Sequence, residues 1–194
     1  LFSERGSFLT GVGTGFTELD KFTAGFQNGE LIIIAGRPSS GKTSLLASMM
    51  QTISCTYGKK IGLFSLEMPK TQIADRLICL NGKINLLNWR SGHLDEKEWS
   101  RAYKSVDALK SCQIQIEDQP GISISALRSI ARTLKTKYEV DIFLVDYLQL
   151  MTISGYGPDH REKEVSEIGR ILKSIVTDFG IPVLVLSAVN KGQD

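Results

Sequence analysis

The chain has 194 residues, 42% of them apolar and 23% charged, with a formal net charge of +2. That length and composition suit one globular α/β domain with a sizeable core. They exclude a wholly basic nucleic-acid surface and a membrane helix, since no apolar run approaches ~20 residues, and LFSERGSFL is no signal peptide.

In chain order, the first predicted strand is LIIIA at 31–35. It runs into GRPSSGKT, Gly36 to Thr43, a full match to G-x-x-x-x-G-K-[ST], and a helical pattern follows from Lys42 to Ser54. Strand before and helix after is the setting this phosphate-binding motif requires. Gly36 and Gly41 let the backbone close on phosphate oxygens. The stretch Gly36, Arg37, Pro38, Ser39, Ser40, Gly41, Lys42, Thr43, Ser44 is the candidate ATP cradle. Its amides point inward together with the positive end of the helix dipole. Lys42 brings a point charge to the β and γ phosphates, and Thr43 a hydroxyl for Mg²⁺. The chain contains no N/T-K-x-D guanine-binding segment, which favours ATP over GTP.

IGLFSL (61–66) is the second strand, and it ends on Glu67. A strand-end carboxylate at the same sheet edge as the phosphate loop can orient or deprotonate an attacking water. The alternative is that Glu67 caps the helix beginning near Pro69. Gln72 to Leu80 reads as helix through Ile73, Leu77 and Leu80, and Asp95 with Glu98 fits a capping box. CQIQI (112–116) is the third strand, and Ser125 to Lys137 the next helix. DIFLVD (141–146) is the fourth strand. It places Asp146 at the carboxyl end, where ligands bind in open α/β sheets, as the acid that holds Mg²⁺ opposite Thr43. Asp141, at the other end, is structural. A loop, TISGYGPDHRE, leads to a helix from Arg161 to Phe179 that Gly180 and Pro182 stop. PVLVLS (182–187) is the fifth strand. The runs at 31–35, 141–146 and 182–187 are nearly all apolar, as expected of strands covered on both faces. Alternating strands and helices predict a mostly parallel sheet with helices on both faces. Cys55, Cys79 and Cys112 are widely spaced and read as buried reduced thiols, and His93 and His160 stand alone without metal-ligand spacing.

The blocks TGFTELDKFTAGFQNGELIIIAGRPSSGKT, FSLEMPKTQIADRL and VDYLQLM resemble the motor domain of the DnaB-type replicative DNA helicases, from about Gly11 to about Lys191. The resemblance implies a RecA-like P-loop ATPase domain over 11–194, after a linker remnant at 1–10. It implies a hexameric ring on single-stranded DNA, ATP and Mg²⁺ between subunits, and primase and a helicase loader as possible partners, in a cytoplasmic setting of bacterial, plasmid or phage origin. Carried over, Lys42 and Thr43 are the Walker A pair, Glu67 the catalytic glutamate and Asp146 the Walker B acid. Thr152 to Lys163 matches a channel-facing loop, with Arg161 and Lys163 as candidate DNA-binding cations. Arg128, Arg132, Lys135 and Lys137 form a basic helix face read as solvated.

Three departures accompany the resemblance. The family's helical N-terminal domain would precede this chain. Its further strands, second DNA loop and arginine finger would follow SAVNKGQD, so the fragment alone is expected to bind nucleotide and hydrolyse it poorly. Ala188 stands where the family has a Gln, which leaves coupling to DNA to Asn190 or breaks it. A second reading is therefore an ATP-binding replication or copy-number regulator, and a third is a RecA- or KaiC-like ATPase with another partner.

Overall fold

A computed structural model describes residues 9–153 and 161–189. Five strands form one wholly parallel sheet: β1 Leu31–Gly36, β2 Ile61–Ser65, β3 Ile114–Glu117, β4 Ile142–Asp146 and β5 Val183–Ala188, in the order β1-β5-β4-β2-β3. Around it lie α1 Thr17–Thr23, α2 Lys42–Gln51, α3 Lys70–Gly82, α4 Leu86–Ser91, α5 Glu96–Lys110, α6 Ile124–Tyr138 and α7 Arg161–Phe179. None of the described helices is long and apolar enough to cross a membrane.

Alternation along each strand sends successive side chains to opposite faces, so the sheet separates two cores. Phe64, Phe143, Val145, Val183 and Val185 pack under α6 and α7 with Leu127, Ala131, Ile168, Leu172 and Val176. Ile61, Leu63, Ile142, Leu144, Leu184 and Leu186 pack under α2 and α3 with Leu46, Met49, Met50, Ile73 and Leu77. Every residue of β2 and β4 is buried. A smaller cluster of Cys79, Ile84 and Ala102 joins α3 to α5.

The structure corrects two expectations. β1 is not covered on both faces. It is an edge strand with every residue partly exposed, and Ile33 is 55% exposed. The thiols are not all buried and reduced either. Cys55, on the exposed end of the segment after α2, is bonded to Cys112 at the entry to β3, with only Cys79 a free buried thiol.

The helices follow the sequence closely. Asp95 and Glu98 exchange the two bonds of a capping box at the start of α5. Gly180, at φ +61°, ends α7 with its N–H on the Val176 carbonyl. The helical run predicted to Ser54 is α only to Gln51. Thr52–Thr56 winds as a π turn in which Tyr57 N–H reaches Thr52 O at 3.0 Å. Short α1 and α4 were absent from the sequence reading.

Candidate nucleotide site

The parallel topology brings the carboxyl ends of all five strands to one edge of the sheet. There a cavity of about 440 Å³ is lined by Pro38, Ser39, Gly41, Lys42, Thr43, Ser44, Glu67, Met68, Arg76, Asp146, Tyr147 and Ala188. Two backbone features shape its loop. Ser39 and Gly41 both take positive φ, +61° and +88°, which turns amides toward the cavity. At Gly36 a Cβ would meet Ser40 Oγ at 2.8 Å, so the turn packs closely against the loop's own serine hydroxyl. Gly36, Arg37 and Ser40 thus build the loop, while Pro38, Ser39 and Gly41 to Ser44 form its inner wall. Lys42 Nζ donates to the carbonyls of Gly36 and Arg37, each at 3.0 Å, which leaves one of its three donors for a ligand.

Thr43 and Asp146, 103 residues apart, meet directly: Thr43 Oγ1 donates to Asp146 Oδ2 at 2.9 Å. Asp146 is 2% exposed and begins a cis peptide to Tyr147. Burial pushes its carboxyl above the usual carboxylate range. The Thr43 hydrogen bond pulls it down, the Glu67 charge pushes it up, and Lys42 and Arg76 pull it down. The pair offers a hydroxyl and a carboxylate oxygen, the hard donors Mg²⁺ prefers. Among the described residues no group of three or more His, Cys, Asp or Glu side chains could hold a metal, so an ion here would draw its other ligands from phosphate and water.

Glu67 is exposed and faces the same cavity. It does not cap the next helix: the N-cap of α3 is Pro69, with no side-chain cap bond, and Lys70 N–H goes to Asp118 Oδ2 at 2.8 Å. Asp141 lies at the opposite sheet edge, where Asp141 Oδ2 accepts from Lys60 N–H at 2.8 Å, a structural role.

The sequence reading missed Arg76. It borders both this cavity and a mostly apolar one of about 380 Å³ beside it, and its buried Nε has no hydrogen-bond partner. A signal was present: position 76 lies three after Ile73 and four before Leu80, so an arginine interrupts the apolar stripe of α3. The candidate DNA loop is only partly visible. Residues 154–160 and the side chain of Arg161 lie outside the described residues, as does Asn190. Lys163 is exposed on α7, while Glu164 beside it is buried and accepts the Ile153 N–H at 2.7 Å. On the basic face of α6, Arg128 pairs with Asp178, Lys135 donates to Val140 O and Lys137 lies over the Tyr138 ring. These intramolecular partners fit the solvated reading.

A parallel sheet with a phosphate loop after its first strand and an acid at the end of β4 defines a P-loop nucleotide-binding domain of RecA-like architecture. Residues 11–194 match the family model described as the DnaB-like helicase C terminal domain, and the chain belongs to that family. It is 43% identical over 184 residues, 95% of its length, to the replicative DNA helicase DnaC of Bacillus subtilis, and 38% identical over 191 residues to the replicative DNA helicase DnaB of Geobacillus stearothermophilus. It spans 40% and 42% of those relatives. Among solved structures, one described as an ATPase domain superposes with a TM-score of 0.86 at 30% identity, over 96% of this chain and 66% of that one. A DnaB-like replicative helicase, described with its interactions with primase, superposes equally well over 46% of its own chain.

Proposed function

We propose that the chain is the ATPase motor of a ring-shaped replicative DNA helicase. ATP hydrolysis at this cavity would drive movement along single-stranded DNA. The observation that carries the reading is the contact between Thr43 and Asp146, made across 103 residues in a cavity that also holds Lys42 and Glu67. In this reading the amides of Gly36 to Ser44 bind the phosphates. Lys42 and the unspent Nε–H of Arg76 neutralise charge on them. Thr43 and Asp146 hold Mg²⁺, which when bound offsets the negative charge of the β and γ phosphates. Glu67 orients a water toward the γ-phosphorus and takes its proton. The new P–O bond forms as the bond to the leaving ADP oxygen breaks.

Partners of the whole protein follow from the same reading: further copies in a hexamer, single-stranded DNA, primase and a loader, in the cytoplasm. Arg161 and Lys163 would touch DNA phosphates without reading bases. Ala188 supports a second reading. It lines the phosphate cavity, and its side chain can neither donate nor accept a hydrogen bond, as suits an ATP-binding replication regulator uncoupled from DNA.

The deciding test is ATP turnover by the full-length protein, with and without single-stranded DNA, beside Glu67→Gln. The motor reading expects stimulation by DNA and a loss of about 10²-fold or more in the variant. Turnover indifferent to DNA favours the regulator, and turnover indifferent to Glu67→Gln removes the assigned base.

A further inference from the structure

The sheet parts at the rim of the phosphate cavity. The β4–β5 ladder runs from Phe143 opposite Val183 to Val145 opposite Val185 and stops there. β5 continues alongside β1 as far as Ala188, which pairs with Gly36. Asp146 and Ala188, one on each side of the parting, both line the cavity.

One side chain spans the parting. Gln149 lies in the short 3₁₀ turn Leu148–Leu150, three residues after Asp146. Its Nε2 donates to Ser187 Oγ at 2.9 Å and to Ala188 O at 2.8 Å, and its Oε1 accepts from Ala188 N–H at 3.1 Å. The carboxamide thus stands in for the missing strand neighbour, satisfying both backbone groups of Ala188. The bonding continues on either side. Leu66 N–H donates to Asp146 O at 2.7 Å, and Val189 N–H to Gly36 O at 3.1 Å. The residue before Glu67, the metal-site acid, Gln149, Ala188 and the first residue of the phosphate loop therefore form one belt across four strand ends.

We propose that Gln149 is a positioning residue for the triphosphate end of this site. It fixes Ala188 relative to Asp146, and so sets the shape of the wall that the third phosphate meets. The proposal rests on the phosphate-site reading above. Gln149 reaches the cavity wall through Ser187 and Ala188. The diphosphate part of a nucleotide depends on the loop from Gly36 to Thr43, whose own turn is held by Ser40 N–H on Arg37 O and by Lys42. Loss of Gln149 should therefore weaken triphosphate binding selectively.

The test is the affinity of the full-length protein for Mg²⁺ with ADP and with a non-hydrolysable ATP analogue, together with its melting temperature. Gln149→Met keeps the length of the side chain and removes these three bonds. Gln149→Glu keeps the partner of the Ala188 N–H and loses both donors. The expected result is a ratio of analogue to ADP dissociation constants raised about five- to tenfold in the Met variant, the scale of one or two net hydrogen bonds, with the Glu variant between. ADP affinity should stay within about twofold, below the worth of one such bond. An unchanged ratio overturns the proposal, even if the melting temperature falls, because a merely structural residue would weaken both nucleotides alike. If Gln149→Met does not fold, Ser187→Ala removes one of the bonds and is read by the same ratio. If the wild-type protein binds neither nucleotide, the phosphate-site reading itself fails and this proposal falls with it.

Discussion

Asp146 stabilises the site at the expense of the fold. Its carboxyl is pushed up mainly by burial, so the folded state binds the proton more tightly than the unfolded chain does. A group raised in this way contributes stability that is fully present below the ordinary carboxylate value of about 3.9 and is lost as pH rises through the folded value. At neutral pH without nucleotide, Asp146→Asn should therefore raise the melting temperature, while Mg²⁺-nucleotide binding falls. The gain should shrink as pH drops toward the ordinary carboxylate range. A variant less stable than wild type at neutral pH would contradict this. Gly36 gives a second residue-level prediction. An alanine Cβ there would meet only Ser40 Oγ closely, at 2.8 Å, and that hydroxyl can rotate away, so nucleotide affinity in Gly36→Ala should change by no more than about twofold, ~0.4 kcal/mol, in a titration. Gly36, Lys42 and Thr43 were legible in the sequence because their chemistry is written in eight consecutive residues. Arg76 was not, because its role depends on a helix face turned toward a loop more than thirty residues upstream.

At the scale of elements, all five strands and three of the five longer helices were legible within about two residues of their ends, since each carries a strong apolar period and a local stop signal, while α5 was legible only at its capping-box start. The third strand was placed two residues early, and α2 passes into a π turn where Thr52, Ile53 and Thr56 crowd the helix. Helices α1 and α4, of seven and six residues, are too short to show a period. The Cys55–Cys112 link could not be read from spacing, because it depends on the end of α2 lying beside the entry to β3. It closes a loop of 57 residues and ties the helix that carries the phosphate loop to the strand at the far edge of the sheet. Disulfide closures typically contribute about 2–4 kcal/mol. Reduction, or Cys55→Ser, should then lower the melting temperature by roughly 5–15 °C. A melting curve indifferent to reductant would show that the link carries no stability.

At the scale of the whole molecule, the strand order is what assembles the site. Thr43 meets Asp146 only because β1 and β4 flank β5. The sequence predicted a parallel sheet but not its order, since apolar content alone cannot tell an edge strand from a central one. LIIIA looks as central as IFLVD and is not. The two borders of the sheet consequently differ. β3 is four residues long and carries Gln115 and Glu117, which blunt it. β1 presents six residues without a charge, and among the described residues no strand pairs with its outer side. Such a border is adhesive, and another extended segment can zip onto it through its free amides and carbonyls. Prepared alone, residues 9–189 should associate with rising concentration. Ile33→Lys should suppress that association in sedimentation while changing folding stability by no more than about 0.5 kcal/mol. The border also has a polarity: a strand added parallel to β1 would end next to Gly36, where the phosphate loop starts. A strand added in that sense would lie against the backbone from which the phosphate loop departs.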